Sequence, residues 1–219
     1  MSQSPASISG ASISGASGSG APGSAEPSRR ERKREEARDR LYQAAVELYL
    51  ERGFEATTMN DIAQRADFAR ATVFNHFPQK VTFLEEWGRR RRAAVAESLA
   101  AAGAAELPAT RRLSCYLHEM ALLNTGSRHE SVVLMDASVR FGGLLRNPAL
   151  DVDLTAVVRD GQEQGELRPE PDAVQVGALL AAGYFATVLR WISADPAPFE
   201  LSTALEEMLD IVMRGLLIG

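Results

Sequence analysis

From Leu41 onward the hydrophobic positions recur with a helical period. Leu41, Ala44, Ala45, Leu48 and Tyr49 fall at i, i+3, i+4, i+7 and i+8, one face of an amphipathic helix. Gly53, in Glu51-Arg52-Gly53-Phe54, supplies a helix stop. Thr58 with Asp61 three residues on resembles a capping box, with Asp in place of the usual Glu or Gln, and opens a short helix through Met59, Ile62, Ala63 and Ala66. After a turn at Asp67 and Phe68, a third helix is predicted from about Arg70 to His76. It closes at Phe77-Pro78, because proline disfavours helical geometry in the residue before it. The same period predicts helices over 81–102, 109–124, 128–141, 149–164, 172–193 and 200–217, separated by breaks that carry Gly or Pro. No stretch sustains period-two alternation, so the fold class is all-α, with about nine helices.

Ahead of this pattern, residues 1–28 form a Ser, Gly and Ala tract in which Ala-Ser-Ile-Ser-Gly occurs twice in succession, at 6–10 and 11–15. Such composition buries too little apolar surface to offset the entropy of ordering it, which predicts a disordered tail. Gly18, Gly20 and Gly23 have the G-x-G-x-x-G spacing of a dinucleotide loop, but no strand precedes them and Pro22 interrupts them, so the match is accidental. The expected organisation is a tail over 1–28, a three-helix unit over 29–84 and a larger helical domain over 85–219.

Composition narrows the function classes. Cys115 is the single cysteine of the 219 residues, which excludes an intrachain disulfide and a four-cysteine zinc site and suits a reducing compartment. The longest uncharged apolar stretch, Val176 to Leu189, is 14 residues, short of the roughly 18 that suggest a membrane span. The amino terminus lacks a basic region followed by an apolar core. A cytoplasmic protein without a membrane partner is expected. The net charge is -5, yet residues 29–99 carry 15 basic and 12 acidic side chains and residues 100–219 carry 9 and 16. A basic part joined to an acidic part suggests one surface facing a polyanion. The charged run Arg29 to Arg40 reads as an import signal, a DNA-contacting arm or a solvated first helical turn, the last being the commonest outcome. Arg89 to Arg92 circle their helix and read as a solvated stretch.

Catalysis finds little support. There is no G-x-S-x-G or phosphate loop, lysine occurs only at 33 and 80, and neither His118-Glu119 nor His129-Glu130 has a second histidine at metalloprotease spacing. The Glu-x-x-His signature of carboxylate-bridged metal bundles is also missing. Cys115 with His118 three residues on is more simply packing than a thiolate pair. No catalytic residue, metal site or cofactor is therefore assigned.

The chemistry concentrates between Arg40 and Leu84. Three helices, the second and third short and joined by a turn of about three residues, are the sequence form of a helix-turn-helix, whose last helix enters the DNA major groove. Arg70 can donate two bonds to guanine, Asn75 can bond adenine bidentately, and Thr72 can offer a hydroxyl or a methyl. Thr58 and Lys80 sit at helix starts, where free N–H groups and the dipole favour a phosphate. His76 divides between packing at the helix end and a phosphate contact, whereas Phe77, Ile62 and Leu48 suit the core.

These residues also resemble a family. Arg52-Gly53-Phe54-x-x-Thr57-Thr58-x-x-Asp61-Ile62-Ala63-x-x-Ala66, followed by Arg70-Ala71-Thr72-Val73-Phe74-Asn75-His76-Phe77-Pro78-x-Lys80, resembles the amino-terminal domain of tetracycline-repressor-like (TetR) regulators. A weaker likeness continues at Gly161, Gly165 and Arg168. Three positions depart from the pattern. Phe74 stands where a phosphate-touching tyrosine is common, and Asp67 and Ala69 replace the turn's glycine and serine. Asp tolerates a left-handed turn, but the lost hydroxyl at Ala69 removes a cap of about 1 kcal/mol. Asp67 is a candidate replacement cap, and the arginines from Arg29 to Arg34 a compensating flexible arm.

The acidic part should avoid DNA. Leu201, Ala204, Leu205, Met208, Ile211, Val212 and Leu216 keep a clean period, and Val176 to Leu189 is apolar nearly all round, which predicts a two-fold dimer through 172–193 and 200–217. The resemblance implies the same four-helix contact. Two readers then require a near-palindromic operator in double-stranded DNA, with half-site centres roughly 34 Å apart or a multiple of that. The resemblance further implies a pocket for a small-molecule effector. Its candidates are Tyr116, Met120, Met135, Phe141, Tyr184, Phe185 and Trp191, with His118 and Asn124 as polar contacts. The expected function is a dimeric DNA-binding regulator, a repressor released from its operator by a small apolar or amphipathic ligand. The alternatives are a constitutive or protein-controlled DNA-binding dimer and, remotely, a helical-bundle enzyme.

Overall fold

Ser28, Thr58 and Asp172 each accept a backbone N–H at the start of a helix. The computed structural model describes residues 28–143 and 149–216 and contains nine α-helices and no strand among them. They are α1 (Arg29–Arg52), α2 (Met59–Ala66), α3 (Arg70–His76), α4 (Val81–Ala101), α5 (Ala109–Gly126), α6 (Arg128–Arg140), α7 (Leu150–Glu163), α8 (Ala173–Ile192) and α9 (Leu201–Arg214), with a single 3-10 turn at Ala104–Glu106. The all-α expectation holds, and from α4 onward the helix limits fall within two or three residues of the predicted ones. The tail over 1–27, its glycine spacing, part of the break over 142–148 and the last residues of the 200–217 segment lie outside the described residues.

The chain divides into two units, 1–36 and 37–219. The described part of the first is the start of α1, where the Ser28 amide donates to Glu31 Oε2 (2.7 Å) and the Glu31 amide donates to Ser28 Oγ (3.3 Å), a reciprocal cap. Arg29 to Arg34 are exposed and helical. They are therefore the solvated first turns of a helix, and the flexible arm is not what this structure describes. Because residues 37–219 form one unit, the expected boundary between 84 and 85 falls inside α4.

In the second unit Leu41, Ala45, Leu48 and Tyr49 of α1 meet Ile62 of α2, Val73 of α3 and Phe83 of α4 in a dry core. Phe77 and Phe83 stack at 3.9 Å, so the end of α3 and the start of α4 share one aromatic pair. Farther along, α4 packs on α5 and α6, α5 on α9, and α7 on α8. Among the described residues α8 is the one helix long and apolar enough to cross a bilayer, longer than the 14-residue stretch that the sequence suggests. Half of the apolar window of α8 is buried within the protein, against α6, α7 and α9, as expected for a core helix.

The apolar face of α9 divides in two. Leu201, Leu205 and Leu216, expected at a dimer contact, are instead buried within the chain with Leu209 and Met213, since α9 packs on α5. Ala204, Met208, Ile211 and Val212 remain at least partly open.

Two glycines permit close helix contacts. A Cβ at Gly161 would lie 2.5 Å from that of Ala109, which explains the Gly161 position of the weaker motif. One at Gly177 would lie 2.1 Å from Thr155 Oγ1 and 2.8 Å from the Asp151 carbonyl oxygen. Gly177→Ala must therefore push α8 away from α7. The expected result is a loss of about 1–3 kcal/mol by urea denaturation with helical content retained, whereas unchanged stability would contradict the α7–α8 packing described.

Candidate functional site

Helix α3 is too short to stand alone and is fixed by its surroundings. Asp67 ends α2 in the left-handed region (φ 57°), with its amide directed to the Ala63 and Gln64 carbonyls. The expected tolerance of Asp in this turn is met. No side chain caps α3 at Ala69, so Asp67 serves the end of α2 and does not replace the missing serine. Val73 is wholly buried and anchors the inner side of α3. On the outer side Arg70, Phe74 and Asn75 are exposed, and Thr72 and His76 are half-buried. The Arg70 guanidinium lies over the Phe74 ring at 5.4 Å, so the residue that replaces the customary tyrosine orients an arginine.

Two of the expected phosphate contacts have other partners. The Thr58 hydroxyl accepts from the Asp61 amide (3.2 Å) and donates to Asp61 Oδ2 (2.7 Å), and the Asp61 carboxylate also accepts from the Thr58 amide and pairs with Arg52. Lys80 directs Nζ to the carbonyl oxygens of Phe54 (2.6 Å), Thr57 (3.0 Å) and Glu55 (3.4 Å), above the Phe54 ring. Burial pushes the pKa of this ammonium down. Thr58 is thus a cap and Lys80 a strap across the α1–α2 loop. His76 lies at the end of α3, where its carbonyl accepts from Arg38 Nη1 (3.0 Å).

Arginines from α1 clamp both short helices. Arg40 donates to the Ala66 carbonyl at the end of α2 (2.9 Å) and covers the Phe68 ring. Arg38 covers the Phe77 ring and also donates to Glu86 Oε2 (2.9 Å). Glu86 on α4 is 3% exposed and further accepts from Arg89 and Arg90. Hydrogen bonds from Arg89, then from Arg38 and Arg90, hold its carboxyl well below the usual carboxylate range, against the burial that pushes it up. The chain α3–Arg38–Glu86 therefore ties the exposed helix to α4.

The same half of α4 also borders a cavity of about 40 Å³ lined by Trp87, Arg91, Met120, Met135, Tyr184 and Phe185. Leu84, Gly88, Arg92 and Ser138 border both this cavity and an open cleft of about 510 Å³ beside Arg38 and His76. Four of the predicted effector residues, Met120, Met135, Tyr184 and Phe185, are thus brought together. Asn124 stands behind them, donating Nδ2 to the Tyr184 hydroxyl (2.9 Å) and to the Met120 carbonyl. The other four predictions lie elsewhere. Tyr116 donates to Asp153 (3.0 Å), and burial, then that carboxylate, push its pKa up. His118 is half-exposed toward Glu206 on α9, Phe141 stacks on Phe54 at 5.1 Å, and Trp191 packs beneath Arg128.

Sequence reasoning missed Trp87 and Arg91. Leu84, Trp87, Arg91 and Val95 fall at i, i+3, i+7 and i+11 on α4, and all are buried. A charge inside an apolar stripe is the signal that marks Arg91, so the Arg89–Arg92 run is not uniformly solvated. Among the described residues no cluster of His, Cys, Asp or Glu has metal-site geometry.

The sequence model for "Bacterial regulatory proteins, tetR family" matches residues 41–87, which span α1 to the middle of α4. The HTH-type transcriptional repressor KstR of Mycolicibacterium smegmatis is 26% identical over 191 residues, covering 84% of this chain and 88% of that protein. KstR2 of the same organism is 39% identical over 49 residues, 22% of this chain and 24% of that one. The crystal structure of Thermus thermophilus FadR, a TetR-family transcriptional repressor in complex with lauroyl-CoA, superposes with a TM-score of 0.68 at 27% identity, covering 83% of this chain and 96% of that chain.

Glu86→Gln removes the charge that three arginines share. The expected loss is about 2–3 kcal/mol in chemical denaturation at neutral pH. A carboxyl whose folded pKa is depressed stabilises above its unfolded pKa and loses that contribution as pH falls. The difference between wild type and Glu86→Gln should therefore shrink below about pH 4.5. A gap independent of pH would contradict the ionic role.

Proposed function

Since the chain belongs to the TetR family of bacterial regulatory proteins, we propose that it is a transcriptional repressor that holds operator DNA as a homodimer and releases it on binding a small ligand. The observation that carries this reading is the exposed edge of Arg70, Phe74 and Asn75, on a helix whose inner side is buried at Val73. Arg70 suits guanine O6 and N7, Asn75 suits adenine, and Phe74 offers an apolar surface to a thymine methyl. Thr72 stands between them as a shorter contact. The backbone amides at the start of α2 suit phosphates, and His76 at the end of α3 is a further candidate contact. On this reading residues 29–84 form the DNA-binding domain and 85–219 the effector and dimerisation domain.

Dimerisation is supported by apolar surface on the last two helices. Gly183 of α8 and Met208 of α9 touch, and about one turn away Leu179 is 58% and Ile211 73% exposed. Two-fold pairing of these helices covers that surface and gives the pair of reading helices the symmetry of a near-palindrome. Effector control is supported by the cavity on α4 and by the amphipathic lauroyl-CoA of the Thermus repressor. Ligand releases DNA only to the extent that it binds the two states of the dimer unequally. The lone Cys115 suits action in the cytoplasm.

A duplex selected from a random pool, titrated in fluorescence anisotropy, tests the DNA contacts. Arg70→Ala and Asn75→Ala should each weaken the selected sequence by about 1–3 kcal/mol and relax preference at one position, with far-UV circular dichroism unchanged. Unaltered preference in both variants would remove α3 from recognition. Leu179→Glu combined with Ile211→Glu should give monomers in light scattering and lose the selected duplex, and a dimer surviving both changes would exclude this surface.

A further inference from the structure

Among the described residues Arg91 is the arginine that the fold buries most fully. It is 9% exposed, and its surroundings satisfy only part of it. Nη1 donates to Ser127 Oγ at 3.2 Å and lies 3.8 Å from Glu130 Oε1, the same oxygen that accepts from Trp87 Nε1 at 2.6 Å. Nε and Nη2 are buried with no hydrogen-bond partner among the described residues. A guanidinium offers its donors as a planar fork, and buried donors left unmade are costly, so two unmatched donors mark an acceptor site. Tyr184, on the same cavity, accepts from Asn124 Nδ2 and keeps its own hydroxyl proton to donate. The rest of the wall is mostly apolar, with Trp87, Met120, Met135, Leu150 and Phe185; its polar members Arg92 and Ser138 are engaged by Asp153 and the Leu134 carbonyl.

We infer that this cavity takes a carboxylate with an apolar body, the carboxylate oxygens bonded to Arg91 Nε and Nη2 and to the Tyr184 hydroxyl. The inference rests on the reading of the cavity as the effector site and adds the chemical class of the ligand. A cationic ligand is excluded by the charge of Arg91, and a purely apolar one leaves its two donors unmatched. The cavity of about 40 Å³ admits little more than the head group as it stands. Met120 and Met135, unbranched and adaptable, are the side chains that make room for the body. The border with the open cleft at Leu84, Gly88, Arg92 and Ser138 is the way in.

The test uses the full chain with straight-chain carboxylates from butyrate to dodecanoate, each beside its primary alcohol and primary amide, in calorimetric titration and thermal shift. At least one carboxylate should bind about 10- to 100-fold tighter than its alcohol and amide, as expected when a charge-assisted pair is lost. Arg91→Gln should abolish that preference. Because the acid-to-amide comparison needs only wild-type protein, a variant that fails to fold does not remove the test. Equal binding of acid, alcohol and amide, or no binding of any carboxylate, overturns the inference. Retention of the selected duplex is followed in the same samples. Carboxylate insensitivity with duplex retained overturns the inference alone. Carboxylate binding by a protein that holds no duplex supports the site and overturns the repressor reading.

Discussion

The buried carboxylate of Glu86 is the constraint on which the remaining arrangement depends. A carboxylate 3% exposed is tolerable only with cationic donors around it, and those donors come from two helices. Arg89 and Arg90 follow it on α4, while Arg38 reaches over from α1 and continues to the carbonyl that ends α3. One acidic side chain thereby ties α1 to α4 and, through Arg38, to the end of a seven-residue helix without a side-chain cap. The aromatic stack of Phe77 on Phe83 supplies the apolar half of the same joint.

Arginine is used in three physically different ways within one short stretch of chain. Arg70 is presented to solvent over an aromatic ring. Arg38 and Arg40 lie on rings with their donors committed to helix-end carbonyls. Arg91 is carried into the interior with donors left over. Only the first is a feature of net charge, which explains why the sum of basic residues is a poor guide to which of them meet a polyanion.

Much of the fold was legible in the sequence. The period-3.6 pattern locates α4 to α9, and the Thr58/Asp61 pair marks the cap of α2, because both signals are local. The exposed edge of α3 was legible for the same reason. The readings of Thr58 and Lys80 as phosphate contacts did not include their intramolecular partners: the acceptors of Lys80 are loop carbonyls 23 to 26 residues away, and no pattern around position 80 announces them. The effector candidates on α5, α6 and α8 were half legible. Large apolar residues mark the interior, but which of them border a void depends on packing, so Met135 and Phe185 meet at the cavity while Trp191 lies under Arg128. Arg91 had a signal, its place in the stripe Leu84, Trp87, Arg91, Val95, which its three arginine neighbours masked.

The Lys80 strap has a mechanical consequence. By holding Phe54, Glu55 and Thr57 to the residue that precedes α4, it welds the loop between the first two helices to the root of the fourth. With Arg38 and Arg40 securing the remaining joints, the reading head has no slack of its own. In the proposed dimer, strain arriving along α4 would turn the head as a block, like a spanner on a bolt, which leaves the shape of each half-site contact intact and alters its pitch against the partner's.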